Sequence, residues 1–269
     1  MRGSRQAGPV SSPAVLITGA SRGLGAAAAR MAAQLGAGVA LIARSPGNLE
    51  AVAGEIREAG GRALVVVGDV SLAGDCRRAV VETVEQFGRL DGLVNNAGIL
   101  GPIGPLAEAD AEGYQENWAV NVLGPLLMTR EAIPYLRRSR GRILNVSSGA
   151  AVHAVEGWGA YCLAKGAVNQ LTRMIAAEEP AITAISFRPG VVDTEMQAHI
   201  RHQGGEGMPE EVHDRFVRYH QQGQLLPPEV PGCVLAALVL QAPAEWSGAF
   251  LSWDEEEVRA LAKRAGCSL

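Results

Sequence analysis

The sequence predicts a single α/β domain, a doubly wound sheet of about seven parallel strands with helices on both faces. Three observations predict it. Six or seven short apolar runs alternate with segments of helical pattern along residues 13–269. The first run opens directly into a glycine-rich turn and then a helix. No repeat, low-complexity tract or internal boundary divides the chain of 269 residues. With 48% of its residues apolar, the chain can bury a full core.

Residues 1–12 are polar and rich in Gly, Pro and Ser, and read as a disordered leader. Pro13 to Thr18 is a continuous apolar run, the mark of a strand buried on both faces. Gly19-Ala-Ser-Arg-Gly-Leu-Gly25 follows, and Ala26 to Leu35 reads as a helix. Glycines let the backbone approach a pyrophosphate, and a helix N-terminus turns free N–H groups and its positive dipole end toward it. Gly19, Ser21, Arg22, Gly23, Leu24 and Gly25 are therefore candidate cofactor contacts, although glycine turns also simply join strands to helices.

Gly38 to Ala43 is the second strand, and Arg44 stands at its end, 19 residues after Gly25. An NAD site would place an acid here, on the ribose 2′-hydroxyl. Arg44, with Arg22 in reach, suits a 2′-phosphate instead, which favours NADPH over NADH unless both arginines are simply solvated. Pro46 to Ala59 reads as a helix and Arg62 to Val67 as the third strand. Asp69 and Val70 close it, where a side chain can hydrogen-bond an adenine edge. Ala73 to Phe87 is a helix. Leu90 to Val94 is the fourth strand and ends in Asn95-Asn96-Ala97-Gly98, small residues and amides across which a cofactor can lie.

A Gly/Pro loop then leads to a long helical pattern over residues 111–136, with Asn121 in its middle. Asn is a poor interior helix residue, so a functional amide or a local kink is expected there. Arg142 to Val146 is the fifth strand and Ser148 follows it. The next helix, over residues 157–179, carries Tyr161 and Lys165 one turn apart on one face. An ammonium beside a phenol favours the phenolate and is expected to lower the Tyr pKa, making Tyr161 a proton donor and acceptor. The alternative is an amphipathic helix with a solvated Lys.

Ile182 to Phe187 is the sixth strand, followed by Arg188-Pro-Gly-Val-Val-Asp-Thr194. Residues 195–226 hold four of the five histidines, several glycines and many charges, with few apolar anchors, and fit a lid or substrate loop. The histidines have no metal-ligand spacing and read as surface residues. Residues 227–240 form a helix, 248–252 a last strand, and 254–265 a helix with an acidic start and basic end.

The net charge of −4 offers no footprint for nucleic acid or an anionic membrane. No apolar run reaches the length of a membrane span. Cys76, Cys162, Cys233 and Cys267 are scattered, without CxxC; this suits a reducing cytoplasm and argues against disulfide or metal use.

Together TGASRGLG at 18–25, NNAG at 95–98, Asn121, Ser148, YCLAK at 161–165 and RPGVVDT at 188–194 resemble the short-chain dehydrogenase/reductase family. The resemblance spans residues 14 to about 252. It implies a Rossmann fold of seven strands and a catalytic Asn121–Ser148–Tyr161–Lys165 tetrad. It also implies cofactor contacts at Pro189, Gly190, Val192 and Thr194, and homodimers or homotetramers packed through the helices at 111–136 and 157–179. The reaction implied is NADPH-dependent reduction of a ketone: Ser148 and Tyr161 hold the carbonyl, Tyr161 protonates it, and Lys165 holds the nicotinamide ribose. Asn121 would hold a proton-relay water, and Trp158 and His153 are candidate pocket walls.

A closer resemblance, in residues 157–167, 176–180 and 189–197, is to sepiapterin reductase and the related benzil-reductase-like enzymes, which reduce vicinal dicarbonyls. The family's pterin anchor is an Asp. Ser252 occupies that position here, in SGAFLSW, with Asp254 two residues on; this counts against a pterin. An alcohol dehydrogenase working oxidatively with NAD, or a non-catalytic dinucleotide sensor, would share most of these motifs.

Overall fold

The computed structural model describes residues 12–269, so almost all of the 1–12 leader lies outside the described residues. Seven strands form one parallel sheet in the order β3-β2-β1-β4-β5-β6-β7. They are β1 (Ala14–Thr18), β2 (Gly38–Ala43), β3 (Arg62–Val67), β4 (Gly92–Asn95), β5 (Arg142–Val146), β6 (Thr183–Arg188) and β7 (Phe250–Ser252). The order reverses between β1 and β4, which opens a crevice at the carboxyl ends of the strands.

Alternation along each strand builds the two cores. Val15, Ile17, Val39, Leu41, Leu144 and Ile185 face one helical layer: α1 (Gly23–Gln34), α2 (Pro46–Glu58), α9 (Glu229–Gln241) and α10 (Glu256–Arg264). Leu16, Ala40, Ile42, Leu93 and Ile143 face the other: α3 (Ala73–Phe87), α5 (Gly124–Ser139) and α6 (Gly159–Glu178). The alanines of α1 let α9 pack unusually close. A Cβ on Gly232 would stand 2.8 Å from that of Ala27.

Three expectations change. The helix expected from Ala26 starts at Gly23, so the glycine turn itself forms the first helical turn. The long helix at 111–136 is broken into α4 (Ala111–Trp118), a π-helical turn (Ala119–Leu123) and α5, and Asn121 lies in the π turn. Widened turns of this kind concentrate at functional sites. Finally, Cys233 and Cys267 form a disulfide. Packing of α10 against α9 brings their Cα atoms to 5.9 Å across 34 residues, a proximity that spacing alone does not reveal. Cys76 and Cys162 are free. No helix among the described residues is long and apolar enough to cross a membrane.

Residues 195–226 are less open than their composition suggests. They contain α7 (Glu195–Gln203) and α8 (Glu210–Gln221), and their ends are clamped together. Leu226 N–H donates to Val191 O, and Asp193 N–H donates to Leu226 O, both at 2.8 Å. Three apolar anchors hold the segment: Ile200, Met208 and Phe216 are buried in one cluster with Trp158, Tyr161 and Leu100.

Candidate active site

The glycine turn meets the end of β4. Gly19 has φ +64°, and a Cβ there would lie 2.8 Å from the Ala97 Cα. Asn96 braces the contact: its Nδ2 donates to Thr18 O at 2.9 Å and Gly19 O at 3.2 Å. Thr18 Oγ1 accepts from the N–H groups of both Asn96 and Ala97 at 2.9 Å. The first turn of α1 has no capping side chain and no acidic residue, so its N–H groups are open to an anion. Residues present therefore fit a dinucleotide pyrophosphate.

Gly25 does not line the cleft. A Cβ there would strike Gly19 O at 2.4 Å and Asn96 Nδ2 at 2.5 Å, so Gly25 shapes the turn from behind. Ser21, Arg22, Gly23 and Leu24 do line it, with Asp69, Val70, Pro189, Gly190, Val192 and Thr194.

At the adenosine end, Arg44 is exposed and stands 3.9 Å from Asp69 Oδ2. The other Asp69 oxygen accepts from Ser71 N–H and Oγ. Arg22 is not the free cation the sequence suggests. It pairs with Glu195 at 2.5 Å, which ties the glycine turn to the start of α7. Glu195 carries no sequence signal because its partner is 173 residues distant.

The four tetrad positions converge from three elements. Ser148 follows β5 and its Oγ accepts from Ala150 N–H at 3.2 Å. Tyr161 and Lys165 sit in the first turns of α6 and are only 8% and 4% exposed. Lys165 Nζ lies 5.4 Å from the Tyr161 ring centroid. A Cβ on Gly98 would fall 2.8 Å from Asn121 Oδ1 and 3.7 Å from Lys165 Nζ, so Gly98 separates the two.

Asn121 sits behind the other three. It does not line the cleft, and its amide is engaged by protein. Oδ1 accepts from Ile99 N–H at 3.1 Å; Nδ2 donates to Ile99 O at 2.7 Å and Asn117 Oδ1 at 2.8 Å. Both amide protons have partners, which leaves a side-chain water contact only through the oxygen. Asn117, one helical turn earlier, was not singled out by sequence; its Nδ2 holds Leu100 O at 3.1 Å and Gly101 O at 2.6 Å.

The electrostatics also differ from expectation. Burial pushes the Tyr161 phenol up to about 12, against the opposing hydrogen bond from Ser148. Burial likewise pulls the Lys165 ammonium down to about 8. Lys165 directs its Nζ at Val146 O, 2.7 Å away, rather than at the phenol oxygen. Desolvation thus dominates the Tyr161 phenol, in the direction opposite to the one expected from a neighbouring cation.

These residues share one cleft of about 1480 Å³ along the carboxyl ends of the strands. Trp158 closes its far end. It stacks on Phe216 of α8 at 4.9 Å and meets Tyr161 edge-on at 5.9 Å. His153 also lines this end, whereas Ser252 and Asp254 do not. The spacing Val212, Phe216, Tyr219 is helical and marks this lid helix in the sequence. Among the described residues no group of His, Cys, Asp and Glu could hold a metal.

A family profile described as short chain dehydrogenase matches residues 13–205. The chain belongs to the short-chain dehydrogenase family. Among its relatives is a benzil reductase ((S)-benzoin forming) of Saccharomyces cerevisiae, 34% identical over 91% of this chain and 97% of the relative. The solved structure of KRED1-Pglu has a TM-score of 0.86 and 38% identity, covering 89% of this chain and all of that one. An alcohol dehydrogenase from the archaeon Thermococcus sibiricus, complexed with 5-hydroxy-NADP, has a TM-score of 0.76 and 30% identity, covering 90% and 95%. Short-chain dehydrogenase relatives are named as oxidoreductases, so the chain is an oxidoreductase of NAD(P)-binding type acting on alcohol or ketone groups.

Proposed function

We propose that this chain is an NADPH-dependent carbonyl reductase acting on a small ketone, with a vicinal diketone as the favoured class. The observation that carries the reading is the neutral Tyr161 phenol, buried beside Ser148 in the same cleft as the glycine turn and Arg44. NADPH, bound along that cleft, supplies a hydride. Ser148 and Tyr161 hold the carbonyl oxygen, and Tyr161 gives it a proton. Lys165 supports the nicotinamide ribose, and Asn121 fixes the Ile99 backbone beside it. Arg44 and Arg22 take the 2′-phosphate, Arg22 once released from Glu195.

Similarity to a benzil reductase supports a diketone, and the replacement of the pterin-anchoring Asp by Ser252, which is not among the cleft-lining residues, speaks against a pterin. Exposed Trp118 and Leu126, and exposed Leu163 and Met174 on α6, support a homodimer or homotetramer through these helices. The reading carries a cytoplasmic setting: the two free thiols suit it, and the Cys233–Cys267 pair is buried away from reductants.

The deciding experiment follows NADPH absorbance with diketones, quinones, aldehydes and pterins. Diketone turnover is expected, with Tyr161→Phe lowering kcat by about 10²–10⁴-fold while cofactor affinity stays within twofold. Normal turnover in that variant would overturn the mechanism.

A further inference from the structure

The catalytic end of the cleft carries more positive charge than the chemistry above employs. Arg188, Arg201 and Arg215 all line it. Among the described residues, none of the three has a carboxylate within 4.0 Å. Arg188 stands beside Ser148: its Nε would be 4.0 Å from a Cβ on Gly149. Of the acids that line the cleft, Glu195 is held by Arg22 and Asp69 lies near Arg44, leaving Asp193.

A second observation singles out Arg201. Buried polar atoms nearly always have a partner. Five described side-chain atoms do not, and two of them, Gln197 Oε1 and Arg201 Nη1, belong to cleft-lining residues. The other three, on Asn95, Asn169 and Arg259, do not line the cleft. Gln197 and Arg201 are one turn apart on α7, so they share a face, and Gln197 is only 8% exposed. Between them Ile200 packs in one cluster with Tyr161 and Trp158, which sets this face over the reacting end rather than the adenosine end.

We propose that Gln197 and Arg201, with Arg188 near Ser148, form a carboxylate subsite, and that beside diketones the cleft takes ketones bearing a carboxylate next to or near the carbonyl. The proposal rests on the carbonyl-reductase reading. A guanidinium fork matches a carboxylate in two parallel hydrogen bonds, and the Gln197 amide, turned over, donates a further one. The step balances as an ordinary reduction. The carbonyl carbon gains the hydride as NADPH becomes NADP⁺, the oxygen gains the Tyr161 proton, and the carboxylate is unchanged, so a 2-oxo acid leaves as a 2-hydroxy acid.

The test compares benzoylformate with its methyl ester, which share a carbonyl and differ in charge, and uses 1-phenyl-1,2-propanedione as a neutral diketone. Arg201→Met should lower the acid-to-ester ratio of kcat/KM at least tenfold, and Arg201→Lys should restore part of it. Gln197→Glu, which sets a carboxylate one turn from Arg201, should lower the same ratio while keeping the arginine. An unchanged ratio in these variants would overturn the proposal. So would an equal fall for both substrates accompanied by a higher KM for NADPH, which would make Arg201 a cofactor ligand. Reduction of the diketone reports on the carbonyl-reductase reading separately. If no ketone is reduced, calorimetry of benzoylformate with NADP⁺-loaded protein decides: binding lost in Arg201→Met upholds the anion subsite, and no binding to the wild type refutes it.

Discussion

Lys165 donates its Nζ to the Val146 carbonyl at 2.7 Å, joining the second turn of α6 to the end of β5. The bond places a buried ammonium behind Tyr161, and burial pulls its pKa down to about 8 from the ordinary 10.5. Over that interval the unfolded chain binds more protons at this site than the folded one. Stability referred to this group therefore rises as pH increases from about 8 and falls as pH drops back through it. The melting temperature of the wild type relative to Lys165→Met should climb between pH 8 and 10. A flat difference in calorimetry would show that the ammonium is better solvated than its surroundings indicate.

Arg44 should decide cofactor choice. Hydrogen bonds to charged groups contribute about 1.5–3 kcal/mol, roughly tenfold or more in affinity. Arg44→Asp is expected to reduce the NADPH-to-NADH ratio of kcat/KM at least tenfold. Steady-state kinetics with both cofactors provide the check, and an unmoved ratio would remove the 2′-phosphate from this position.

Gly25 acts through packing. A methyl group there meets Gly19 O at 2.4 Å and the Asn96 amide at 2.5 Å, so the turn has to move. Overpacking of this kind costs about 1–3 kcal/mol. Gly25→Ala should lower both thermal stability and cofactor affinity, read by calorimetry and by NADPH fluorescence titration. Full cofactor affinity in a stable variant would contradict the proposed cradle.

Phe216 anchors the 195–226 segment. It stacks on Trp158, and Trp158 Nε1 lies 3.3 Å from Met208 Sδ. Phe216→Ala should raise KM for the ketone several-fold and speed hydrogen exchange across 195–226, while β1 amides keep their protection. Equal acceleration in β1 would mean that Phe216 supports the whole fold and not the lid.

Much of the site is legible in sequence because its spacings are local. Strand, glycine turn and helix lie within one βα unit, and Tyr161 and Lys165 are one helical turn apart. Ser148 is legible for the same reason, since it ends a recognisable buried strand. The pairing of Arg22 with Glu195 of α7 is not legible, since the two are far apart in the chain. Phe216 and its neighbours have helical spacing, but the charges around them in the sequence mask the buried face.

By itself, the sequence determines the alternating elements, the parallel sheet, the glycine turn and the placing of Ser148, Tyr161 and Lys165 together in the cleft. Those follow from short-range periodicity and backbone sterics, which act within a few residues. Tertiary structure alone decided three things. It fixed the direction of the Tyr161 shift, since burial depends on how α6 and the lid pack over the phenol. It directed the Asn121 amide to Ile99 and Asn117 through a π turn, and it paired Cys233 with Cys267. Each depends on distances between segments far apart in the chain, and on desolvation, which a linear pattern does not encode.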